Sequence, residues 1–138
     1  MKVEELMIGD KIIAKRIECV GDGGQFQEWN EFGEIIRILE DTVCVMFDKQ
    51  KDDWEEIDIK DIQPIPLTVE ILEKNGFEYI NDEYGCWLLG KIELREREPY
   101  NGLFEVEINI AKETIYIHYL HELQHALKLC GSQKDVML

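Results

Sequence analysis

With 138 residues, of which 45% are hydrophobic and 33% charged, the chain is long enough to bury a core and too apolar for intrinsic disorder. Thirty acidic residues against fifteen basic ones give a net charge of −15, and this excludes an obvious nucleic-acid binder, because affinity for phosphate rests on cations. The same charge disfavours an anionic membrane surface, and no run of about 18 apolar residues exists to span a bilayer.

In chain order, Met1-Lys2-Val3-Glu4-Glu5-Leu6 lacks the apolar stretch and cleavage site of a signal peptide, so a cytoplasmic location is expected. Gly9-Asp10 is a turn pair before a short strand, Lys11–Ala14. A polar, glycine-containing loop follows, from Gly21-Asp22-Gly23-Gly24 through Trp29-Asn30-Glu31-Phe32-Gly33. Glu34–Leu39 and Thr42–Phe47 are rich in β-branched residues and joined by Glu40-Asp41, which predicts a hairpin. A charged loop, Asp48–Asp53, precedes Ile57, Ile59 and Ile62, a weaker strand or a single helical turn. About five short strands with a long loop after the first predict a small SH3-like barrel over residues 1–66.

Pro64-Ile65-Pro66 resists helix and central strand and is the expected boundary. Residues 67–138 then read as a short helix, an antiparallel sheet and a C-terminal helix, an α+β arrangement beside the barrel. Thr68 is placed to cap a helix over Val69–Lys74 that Asn75-Gly76 ends. Phe77–Ile80 predicts a strand, Asn81–Gly85 a turn, and Cys86–Arg95 one longer strand. Glu98-Pro99-Tyr100-Asn101-Gly102 is a turn. Along Leu103–Ile110, Phe104, Val106, Ile108 and Ile110 alternate with Glu105, Glu107 and Asn109, as a strand with one wet face requires. A turn at Ala111-Lys112-Glu113 leads to a final helix starting near Ile117 and ending at Gly131.

That helix carries His121-Glu122-Leu123-Gln124-His125, which matches H-E-x-x-H. Two histidines one turn apart can hold zinc, and the glutamate can activate a water. All three histidines of the chain, His118, His121 and His125, lie within eight residues. At about 100° per residue, Tyr119, Leu120, Leu123, Ala126, Leu127 and Cys130 gather on one side and the histidines on the other, which reads as a solvated face or a cleft wall. A catalytic zinc also needs a third protein ligand. Lys128 and Gly131 stand where the extended metzincin motif has glycine and its last ligand, so that class is excluded. Asp135 is the sole acidic residue after His125. His118 as third ligand would place all three on one helix side, a surface clamp rather than a catalytic site.

Gln63-Pro64-Ile65-Pro66-Leu67-Thr68-Val69-Glu70-Ile71-Leu72-Glu73-Lys74-Asn75-Gly76-Phe77 resembles the middle of a group of small uncharacterised proteins of anaerobic gut bacteria and their prophages. Tyr119-Leu120-His121-Glu122-Leu123-Gln124-His125-Ala126-Leu127 is similar to their ending. The resemblance implies an SH3-like first part and a sheet closed by a helix, and it implies no reaction. It also implies that His-Gln-Leu-Gln-Asn often stands where this chain has His121 to His125. On that reading the motif is incidental, and His121 and Gln124 hydrogen-bond loops against the helix.

Phe26, Trp29 and Phe32, with Glu28 and Glu31 between them, are candidates for an aromatic, acidic groove that takes a basic or proline-rich peptide, or else for a plug at the open end of the barrel. Gly21-Asp22-Gly23-Gly24 lacks the lysine and the helix of a phosphate loop, and Ser132 is the only serine. Cys19, Cys44, Cys86 and Cys130 form no close pair and read as small apolar residues. The expected function is therefore a non-enzymatic accessory or interaction protein of a phage or mobile element, with a protein partner and no cofactor. The alternatives are a zinc-dependent hydrolase, with Glu122 as base and His121, His125 and His118 as candidate ligands, and an acidic mimic of DNA.

Overall fold

The computed structural model describes residues 1–80, 86–90, 92–96, 104–108, 113–131 and 135–138. The chain divides into two compact units, Met1–Ile65 and Pro66–Leu138. The architecture is α+β, with two antiparallel sheets and a helix near the carboxyl end.

In the first unit, β1 (Lys11–Val20), β2 (Gln25–Ile38), β3 (Thr42–Asp48), β4 (Asp53–Asp58) and β5 (Ile62–Pro64) form a sheet in the order β4-β3-β2-β1-β5. A 3₁₀ turn, Ile59–Asp61, joins the last two strands, its amino end held by the Asp58 carboxylate accepting from Lys60 N at 3.0 Å. Ile12, Ala14, Ile35, Val43, Val45, Ile57 and Ile62 bury one face, with Leu6 added from the segment before β1. Asp10, fully buried, closes the turn leading into β1 by accepting from Met7 N at 2.8 Å.

Two sequence expectations are corrected here. The residues read as a long loop are strand: β1 and β2 pair without interruption from Lys11↔Glu34 to Val20↔Gln25, leaving only Gly21–Gly24 as the turn. Nor is the sheet closed into a barrel. β5 is three residues long, ends in a proline that cannot donate to a ladder, and pairs with β1 alone, while β4 pairs with β3 alone. The sheet bends within β2, where the register shifts between Ile35 and Arg37 as at a β-bulge. A Cβ on Gly33 would run into Val45 Cγ1, so only glycine lets β3 approach there.

The second unit has α1 (Val69–Lys74), then β6 (Glu78–Ile80), β7 (Cys86–Leu89), β8 (Ile92–Glu96), β9 (Phe104–Ile108) and β10 (Glu113–Ile117), and ends with α2 (Leu120–Leu129). Its sheet runs in chain order, β10-β9-β8-β7-β6. Thr68 Oγ1 accepts from Ile71 N at 3.3 Å, the cap its position predicts. Cys86–Arg95 is two strands rather than one. The register Leu89↔Ile92 leaves a two-residue connection, and Gly90 enters it at φ +58°, a conformation that suits glycine. Glu113–Ile117 is a further strand, where a turn and the helix start were expected. The stretches 81–85, 97–103 and 109–112, which hold the expected turns and the last two residues of the alternating run, lie outside the described residues, as does Ser132.

The buried residues of this unit include Leu72, Phe77, Trp87, Leu94, Phe104, Ile117, Leu120, Leu123 and Leu127. The Asn75 side chain, itself buried, pairs with the backbone of Met137: Nδ2 donates to Met137 O at 2.8 Å and Oδ1 accepts from Met137 N at 2.6 Å. Of the cysteines, Cys44 and Cys86 are buried, Cys130 is half-buried and Cys19 is exposed. No helix among the described residues is long and apolar enough to cross a membrane.

Candidate functional site

The H-E-x-x-H stretch lies within the first two turns of a helix, beginning at its second residue. β10 ends at Ile117, Tyr119 is extended (φ −125°, ψ 154°), and α2 begins at Leu120, so Glu122 is the third helical residue. A carboxylate there can reach back to the orphan N–H groups of the first turn, and its charge also suits the positive end of the helix. Glu122 does so: Oε1 accepts from Tyr119 N and from His118 N, both at 3.2 Å. Its neighbourhood is that of a cap.

The three histidines differ in their surroundings. His118 is exposed, His125 half-buried, and His121 only 4% exposed. Tyr119 stacks on His121 with ring centroids 5.9 Å apart, and His125 meets His121 edge-on at 5.7 Å. Gln124 is buried as well, while Tyr119 and Leu129 are exposed. The division into an apolar and a wet side is thus corrected, because packing covers α2 beyond the apolar stripe. Asp135 is exposed, and among the described residues no three His, Cys, Asp or Glu side chains are grouped to hold a metal ion.

Phe26, Trp29 and Phe32 sit on β2, not in a loop. Their partners across the hairpin are Cys19, Arg16 and Ile13. Since side chains alternate along an uninterrupted strand, Phe26 and Phe32 share one face and Trp29 takes the other. Phe26 is 71% exposed, Phe32 54%, and Ile17, on their face, 52%. Glu28 is on that face too and pairs with Lys15 at 3.2 Å.

Trp29 belongs to a cluster that sequence reasoning missed. Arg16, mostly buried, reaches from β1 to β4: Nη1 donates to Glu31 Oε2 at 2.8 Å, and the guanidinium forks onto both Asp53 oxygens at 2.9 Å. Nη2 also donates to Glu55 at 3.2 Å. The guanidinium lies 4.0 Å from the centre of the Phe47 ring and 5.6 Å from that of Trp29, whose Nε1 donates to Glu31 at 3.1 Å. The hydrogen bond from Arg16 holds the Asp53 carboxyl below its ordinary value, and the carboxylates, Asp53 first, hold the guanidinium firmly protonated against the opposing effect of burial. Parity was the available signal. Arg16 follows Ile12 and Ala14 at two-residue steps, so a strand extending past Ala14 turns a cation toward the core side, where it needs anionic partners.

Comparison with protein-family models, with curated proteins and with solved structures gives no match.

Proposed function

We propose that this chain is a non-enzymatic interaction protein, an accessory factor of a phage or mobile element, whose SH3-like first unit contacts a protein partner through the β1–β2 hairpin. The observation that carries the reading is the exposure of Ile17, Phe26 and Phe32, each more than half open to solvent on one face of a fully paired hairpin. Large apolar side chains gathered in this way mark contact surfaces. The SH3-like assignment is supported by the strand order β4-β3-β2-β1-β5, by the 3₁₀ turn before β5, and by the long hairpin after β1 where such folds carry a ligand-binding loop. The phage association rests on the resemblance of Gln63–Phe77 and Tyr119–Leu127 to prophage-borne proteins.

A zinc-dependent hydrolase built on His121, His125 and Glu122 has less support. In that role Glu122 must face a metal-bound water, and its Oε1 instead accepts two backbone N–H groups. Direct nucleic-acid binding is disfavoured by the net charge of −15.

A photo-reactive amino acid placed at position 26 tests the reading. It should cross-link one defined protein in cells, and Phe32→Ala should abolish the product; no specific product would overturn it. In parallel, metal analysis of untagged protein should find no zinc dependent on His125. One zinc per chain, lost in His125→Ala, would favour the enzyme.

A further inference from the structure

Every residue from 17 to 28 is exposed, so the outer part of the hairpin meets solvent on both faces. On the face away from Ile12 and Ala14, cross-strand rows stack as Lys11/Glu34, Ile13/Phe32, Lys15/Asn30, Ile17/Glu28 and Cys19/Phe26. The cations all come from β1 and the anions all from β2. Lys11 pairs with Glu34 at 2.9 Å and Lys15 with Glu28 at 3.2 Å. The result is a charge-balanced apolar face, with one basic and one acidic column, on a chain of net charge −15.

We infer that this face binds a second copy of the chain, the two hairpins stacking about a two-fold axis that runs parallel to the strands. The inference rests on the interaction reading above and names the partner. Rotation about such an axis lays β1 of each copy over β2 of the other and keeps every row opposite itself. Ile13 then covers Phe32, Cys19 covers Phe26, and Lys15 lies beside Asn30 within reach of Glu28 of the second copy. The basic column meets the acidic one throughout. An axis crossing the strands of fully overlapped hairpins would set Lys15 on Lys15. A strongly basic partner gains nothing from a neutral face, whereas another copy of an acidic chain can approach only where its own charges cancel.

Ten residues of a two-stranded ribbon span about 30 Å by 10 Å, so each copy contributes about 300 Å², well under the roughly 800 Å² per partner of stable complexes. The dimer is therefore weak and concentration-dependent. Because two chains of like net charge repel at long range, it tightens as salt rises, the opposite of a complex with a basic partner.

Sedimentation velocity of the full, untagged chain tests this at low salt and at about 0.5 M salt. The weight-average coefficient should rise with concentration, more steeply at high salt. Phe26→Glu should weaken association at least about tenfold, while Trp54→Ala, which removes an exposed aromatic on β4, should leave it unchanged. Lys15→Glu and Glu28→Lys should each weaken self-association, and mixing the two variants should restore it, because only the mixed dimer sets unlike charges opposite each other in both columns. A monomer at every concentration up to about 1 mM, or a mixture no better than its components, would overturn the proposal. A cross-link from position 26 to a different protein, without self-association, overturns the second copy and leaves the interaction reading intact; no cross-link at all removes both.

Discussion

The β1–β2 hairpin and helix α2 depart from ordinary burial in opposite directions. The hairpin holds Phe26, Phe32 and Ile17 in solvent, and the helix buries His121 and Gln124. Exposed rings add little to folding free energy, so their presence on a regular strand is better accounted for by contact with another molecule. Buried polar side chains instead act inside the fold, because each needs partners placed to receive it. Burial thus favours an architectural role for His121 and Gln124, and the exposed face of the β1–β2 hairpin is where recognition is to be sought.

Substitutions can break or sharpen that contrast. The largest effect is expected from Leu123→Ala in α2, a fully buried position, at about 2–5 kcal/mol in urea unfolding. His121→Ala should cost about 1–3 kcal/mol, since it empties a buried polar site, whereas exposed His118→Ala should stay within about 0.5 kcal/mol. Equal, negligible losses for both histidines would return His121 to the surface.

Arg16→Ala should destabilise the first unit by leaving Glu31, Asp53 and Glu55 facing one another, and the penalty should depend on pH. Asp53 titrates lower in the folded chain than its ordinary value of 3.8 because Arg16 donates to it. Its contribution is thus fully present above that value and is lost as pH falls through the depressed one. The gap in urea midpoint between wild type and variant should be widest near neutrality and close below about pH 4. A gap independent of pH would remove the ionic account. Glu122→Ala should cost about 0.5–2 kcal/mol through loss of the cap, and Glu122→Gln less, because an amide oxygen can still accept from the first turn. The smallest effect, within about 0.5 kcal/mol, is expected for Phe26→Ala on stability, although the same change should weaken association.

Much of the fold was legible because it is encoded locally. The β-branched runs of β2 and β3 and the Thr68 cap rest on near neighbours in the chain, as does the α+β class that alternation and helical period imply. The unread parts depend on distant residues. The outer hairpin looked like loop because three glycines interrupt it between residues 21 and 24 and many polar residues follow them, yet pairing from Lys11 to Val20 holds it extended. The start of α2 was placed too early because Tyr119 is not a favoured capping residue and Glu122 performs that role from inside the helix. A helical wheel could not foresee the burial of His121, since a wheel divides core from solvent once and α2 is covered more widely. Treating Phe26, Trp29 and Phe32 as one loop cluster hid their parity, which separates Trp29 from the other two as soon as the segment is a strand.

The grip of Asn75 on residue 137 carries a last implication. A side-chain amide offers the same donor and acceptor as a peptide unit, and here it engages the N–H and C=O of Met137 rather than its thioether. Such a grip is blind to side-chain identity, so position 137 should accept almost any amino acid except proline, the one that arrives without an N–H to give.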